Sequence, residues 1–324
     1  MLDELWRKGI GALAQVEGLK QFVEQRGMLK GLAERFVPAE NAADAASHAR
    51  ELLRRDQLRA MLTYLGEPAV DSRGVARNVV NLVGAVEALL DSNLDAVVEA
   101  HPSSLGAGVN RTLFETSLRR LAAAVNEVPR RAGRVAGVMV APPTSRDEAR
   151  YLDSVVDGLL ASDLPLIQTV AADGREAAAR LSRRIMQGVP VRLVKGSPYA
   201  ENSSNGGEDG TGSGNTGYRR MLDSMFSRFA WEHRFYPIVA TDDPRMHRHA
   251  MEMARRNGWK PGEYEFHLIY GVQPRTVSAL RAAGQRVRVT LPFGTSWWDY
   301  VMRCVAGQSP RLWLRARMAA ATRA

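Results

Sequence analysis

Short apolar runs recur along the chain, and each is followed by a longer stretch whose apolar positions repeat with the period of a helix. Eight runs stand out: MLTYLG at 61–66, AVVEAH at 96–101, VAGVMVAP at 135–142, LPLIQTV at 164–170, VRLVKG at 191–196, YPIVAT at 236–241, YEFHLIYG at 264–271 and VRVTLPF at 287–293. Most are continuously apolar, the pattern of parallel strands covered on their outer side by helices. Amphipathic stretches at 72–90, 113–125, 147–160, 175–186, 218–233, 244–257 and 274–283 fill the gaps between them. Strict alternation predicts a parallel sheet. Eight units in about 250 residues favour a closed (β/α)8 TIM-type barrel over an open doubly wound sheet, and no glycine-rich dinucleotide fingerprint follows the first run. The expected division is a helical lead-in over 1–60 and the barrel over 61–324.

One segment breaks the rhythm. ENSSNGGEDGTGSGNTG at 201–217 holds six glycines and almost no apolar side chain. It cannot bury enough surface to offset its ordering entropy, which predicts a flexible loop. It follows the fifth strand at the face where barrels place their chemistry, so a lid and a plain loop are both open readings.

Composition narrows the class. Hydrophobic residues make up 45% and charged residues 24% of the 324, as in a soluble globular protein. No apolar stretch reaches the roughly 18–20 residues of a membrane-spanning helix. The first 22 residues are amphipathic and carry acids, resembling neither a signal peptide nor a transit peptide, which predicts a cytoplasmic protein with no evident membrane association. The single cysteine, Cys304, excludes an intrachain disulfide and a cysteine-rich metal centre. His247 and His249 lie two apart on an expected helix, off a common face, so no metal is expected. The net charge of +9 comes from scattered arginines without interleaved aromatics, and nucleic acid is not an expected partner.

In a barrel the reactive groups sit where strands end. Those ends supply His101, Pro142, Gln168, Lys195 with Gly196, Thr241 with Asp242, His267 and Thr290. Arg192, Lys195 and Arg303 give the site a positive bias suited to an anionic cofactor or a carboxylate.

VRLVKG at 191–196, VAT at 239–241, YEFHLIYG at 264–271, VRVTLPFG at 287–294 and WWDYVMR at 297–303 resemble successive signatures of the proline dehydrogenase family, with TYLGE at 63–67 and RFV at 35–37 similar to its entry region. The resemblance implies an FAD-dependent oxidoreductase of the monofunctional bacterial type that takes a hydride from a carbon beside an amine nitrogen. It implies flavin contacts from Gln168, Arg192, Val194, Lys195, Gly196, Ala240, Thr241 and Asp242, with Arg192 near the reactive flavin nitrogen.

The substrate half departs from the family pattern. His101 is the match for a second-strand lysine, and Ala141 stands where an aspartate is expected. Asp242 replaces a histidine, His267 a glutamine and Thr290 a tyrosine. Arg303-Cys304 replaces a pair of arginines, and Tyr199 matches an aromatic only with a shift. The expected substrate is a small amine or imino acid, optionally with a carboxylate, oxidised at a C–N or N–N bond and distinct from ordinary L-proline. Arg303, Tyr199 and Thr290 would contact it, with Arg192, Asp242, His101 and His267 as catalytic candidates. Two alternatives stand beside this reading: a true L-proline dehydrogenase forming 1-pyrroline-5-carboxylate, and a catalytically inactive flavin-binding or interaction protein.

Overall fold

The structure, a computed structural model, describes residues 30–67, 69–127, 135–142, 146–172, 176–195 and 213–306. Helices α1 (Lys30–Phe36) and α2 (Ala42–Asp56) precede strand β1 (Arg59–Tyr64). Then follow α3 (Ser72–Asp91), β2 (Val97–Ala100), α4 (Arg111–Asn126), β3 (Gly137–Val140), α5 (Arg146–Leu160), β4 (Leu166–Ala171), α6 (Ala177–Met186) and β5 (Val191–Val194). The chain continues through α7 (Ser213–Met225), α8 (Arg228–Glu232), β6 (Pro237–Ala240), α9 (Pro244–Arg256), β7 (Glu265–Ile269), α10 (Pro274–Ala282), β8 (Val287–Phe293) and α11 (Trp298–Ala306). All eight strands are parallel in sequence order, and β8 pairs with β1 to close the barrel.

The helices begin where capping chemistry places them. Asn41, Asp71, Asn110 and Asp243 each accept a backbone N–H of the following first turn through their side chains. The stretch expected as one helix over 218–233 is two, because Ser227 interrupts it and caps α8. Loop expectation also fails in part: residues 213–217 already belong to α7, while 201–212 lie outside the described residues.

Two apolar layers hold the barrel. The larger lies between strands and helices, with Leu62, Val98, Val140, Val170, Leu193, Val239, Phe266 and Leu291 facing outward against the helices. The alternate residues face inward, since strand side chains have a period of two. Met61, Val97, Met139, Ile167 and Ile238 form an apolar plug across the interior. A third cluster, Phe36, Val37, Val301, Cys304 and Val305, docks α1 against α11. Gly294, at φ +124°, lets the chain after β8 pass Leu65, whose carbonyl would lie 2.5 Å from any Cβ at that position.

Candidate active site

Above the apolar plug, at the C-terminal ends of the strands, opens a cavity of about 430 Å³. Its size falls in the range of about 300–1,000 Å³ common for small-molecule and cofactor sites. Leu65, Pro142, Val194, Ala240, Ile269 and Val272 make much of its wall apolar. Among the residues singled out from the sequence, His101, Pro142, Arg192, Val194, Ala240, Thr241, Asp242, His267, Thr290 and Arg303 line it.

Arg192 forms the charged floor. Its Nε donates to Thr169 Oγ1 at 3.0 Å, and its Nη2 donates to Glu99, which also accepts from Thr63 Oγ1 at 3.0 Å. Strands β1, β2, β4 and β5 thus meet on one buried ion pair. Burial pushes the Glu99 carboxyl up, but the Arg192 and His101 charges and the bonds from Arg192 and Thr63 outweigh it and hold the group at about 2. His101 Nε2 lies 3.9 Å from the same carboxylate.

His267 is the second buried polar group. Its Nε2 lies 2.6 Å from Glu265 Oε1, and Glu265 also accepts from Arg288 Nε at 2.8 Å and Nη2 at 3.1 Å. Burial lowers the His267 pKa, opposed by Glu265, so the ring is neutral near pH 7. A neutral ring beside an ionised acceptor carries its proton on Nε2, leaving the Nδ1 lone pair available. No described group donates to that Nδ1.

At the rim, Asp242 accepts from Gln273 Nε2 at 2.9 Å, and Arg303 stands on α11 beside Cys304. Burial pushes the Cys304 thiol up to about 11, the state of an unreactive thiol. His247 Nε2 donates to the Thr241 carbonyl at 2.8 Å and props the β6 end from beneath. Among the described residues no cluster of three metal-binding side chains occurs.

Two expected contacts need correction. Gln168 does not face the cavity: its Nε2 donates to Asp153 at 2.8 Å and its Oε1 accepts from Arg184, both on helices outside the barrel. The alternation of β4 turns Thr169 inward in its place. Lys195 does not line the cavity either; its Nζ stands 3.7 Å from Asp243, beyond the strand end. Gly196 and Tyr199 lie outside the described residues.

Sequence reasoning missed Glu99 and Glu265. The signal was present in both cases: each is a lone carboxylate two residues before a histidine already singled out, and a separation of two puts both on the same strand face.

A buried ion pair under an apolar-walled cavity at the C-terminal mouth of a closed (β/α)8 barrel defines a protein of the barrel-enzyme class. Residues 168–303 match the family model for proline dehydrogenase. Taken with the relatives below, this likeness supports a divergent bacterial member of the proline dehydrogenase family. It is 28% identical to proline dehydrogenase of Deinococcus radiodurans, covering 96% of each chain. It is 24% identical to proline dehydrogenase 1 of Bacillus subtilis, covering 91% of this chain and 92% of that one. Among solved structures, proline utilization A from Bdellovibrio bacteriovorus inactivated by N-propargylglycine superposes with a TM-score of 0.74 at 15% identity, over 91% of this chain and 34% of that chain. The Corynebacterium freiburgense counterpart gives 0.67 at 16% identity, over 99% and 35%. The chain therefore spans about a third of those longer proteins.

The residues present fit a flavin. Arg192 offers a guanidinium on the floor, Val194 and Ala240 a smooth apolar wall, and Thr241 a hydroxyl. Such a set suits a flat heterocycle that gains negative charge on reduction.

Proposed function

We propose that the chain is an FAD-dependent oxidoreductase acting on a CH–NH-type donor, oxidising a C–N or N–N bond of a small amine or imino acid other than ordinary L-proline. The buried Glu99 carries this reading. A substrate carboxylate lowered to the cavity floor would meet an ionised carboxylate whose guanidinium partner is already engaged. Arg303 at the rim is the remaining guanidinium lining the cavity, and Cys304 occupies the next position. A lone arginine is a weaker clamp for a carboxylate than a pair.

When bound, the flavin supplies the two-electron acceptor. Arg192, Val194, Ala240 and Thr241 would hold it. Glu99 fixes the Arg192 guanidinium in place. His267, Asp242 and His101, which line the cavity, are the groups that would handle the substrate proton. Thr290 shapes the wall, and Arg303 orients a substrate carboxylate where one is present. No described helix is long and apolar enough to cross a membrane.

A second reading, a true L-proline dehydrogenase, is favoured by the end-to-end match to the Deinococcus radiodurans relative. The test is the visible absorption of the purified protein saturated with FAD, followed during anaerobic titration with amines, imino acids, hydrazines and L-proline. Bleaching by a panel member far faster than by L-proline is expected. Equal or faster bleaching by L-proline would establish the second reading, and the absence of any bound flavin band would overturn both.

A further inference from the structure

The opposite mouth of the barrel holds a second concave site. Between the start of β1 and the turns before β7 and β8 lies an open groove of about 840 Å³, walled by Arg55, Arg59, Arg281 and Arg286. Gly262, at φ +99°, and Gly284, at φ +71°, keep the backbone turns beside these guanidiniums free of side chains. Among the described residues no carboxylate lines the groove. The counter-charges stand behind the wall: Asp56, at 3.4 Å from Arg55 and 3.8 Å from Arg281, and Asp95, at 2.6 Å from Arg59. Arg281 Nε is buried without an acceptor among the described residues.

Two chains of hydrogen bonds lead from this wall to the catalytic cavity. In one, Arg59 donates to Asp95, Asp95 accepts from Arg288 at 2.8 Å, and Arg288 holds Glu265. In the other, Arg286 Nη1 donates to Tyr236 Oη at 3.1 Å, and Tyr236 donates to Glu265 Oε2 at 3.2 Å. Both end on the carboxylate that holds His267.

We propose that this groove binds a small phosphate-bearing anion, and that its occupancy is transmitted through Glu265 to His267. Four guanidiniums facing one concavity match the geometry and charge of a phosphate or pyrophosphate group. An anion drawing on Arg59 and Arg286 competes with Asp95 and Tyr236, which redistributes the bonds reaching Glu265.

The test is calorimetric titration of the FAD-saturated full chain with inorganic pyrophosphate, with the histidine ring resonances followed by NMR. Saturable one-to-one binding is expected, weakened about 10-fold or more in R55Q/R281Q, as loss of charged hydrogen bonds implies. Arg55 is largely exposed, so R55Q alone is a variant that keeps the fold and should weaken binding in the same direction. R303Q, at the catalytic mouth, should bind pyrophosphate normally. Loss of binding in R303Q with retention in R55Q/R281Q would place the ion in the catalytic cavity and overturn the proposal, as would the absence of saturable binding. Binding at the groove without a shift of the His267 resonances would overturn the coupling.

Discussion

Replacing Glu99 by glutamine removes a buried charge while keeping shape, and the structure sets the size of the effect. A carboxyl held at about 2 instead of its ordinary 4.5 contributes about 3 kcal/mol to folding, since each pH unit of separation is worth about 1.4 kcal/mol. Removing one partner of a buried ion pair costs about 3–5 kcal/mol by an independent route, because Arg192 is left buried and uncompensated. The sign follows from the depressed folded value: the stabilisation is fully present above the unfolded value of 4.5 and is lost as pH falls toward about 2. Chemical denaturation of the wild type and E99Q at pH 7 should therefore differ by about 3 kcal/mol. The gap should narrow below pH 4.5 and close near pH 2. A difference that stays constant across this range would refute the ion pair as its cause, and equal stability at pH 7 would refute the burial argument itself.

Three further outcomes are expected. Q168A should leave the bound-flavin spectrum unchanged yet cost about 1–3 kcal/mol in denaturation, because Asp153 and the buried Arg184 each lose a hydrogen bond; a spectral shift with unchanged stability would return Gln168 to the cofactor. H267Q keeps an amide donor for Glu265 and should fold, while turnover falls about 10²–10⁴-fold with loss of a positioned base; wild-type turnover would remove His267 from proton handling. R303A should reduce kcat/KM about 10–150-fold for carboxylate-bearing substrates and leave simple amines untouched, and a uniform loss over both classes would show a role other than carboxylate anchoring.

Much of the architecture was legible along the chain because periodicity is local. Apolar runs such as VRLVKG and VRVTLPF report strands buried on both faces, and their eightfold alternation with amphipathic stretches determines a closed parallel barrel. Strand ends then nominate cavity residues, and Arg192, Thr241, His267 and Thr290 do line one cavity. The face each strand residue presents is not set by local pattern when both faces are apolar. Gln168 and Thr169 are equally compatible with a doubly buried strand, and pairing of Thr169 with Arg192 across β4 and β5 decides which turns inward. The partners of charges are likewise tertiary. Glu99 and Arg192 stand 93 positions apart, and Asp95 and Arg288 stand 193 apart. Closing the barrel brings them together. A lone carboxylate in an apolar run says that a partner must exist, because an unpaired buried charge is too costly; which arginine answers it depends on strand order and register, which only the closed barrel supplies.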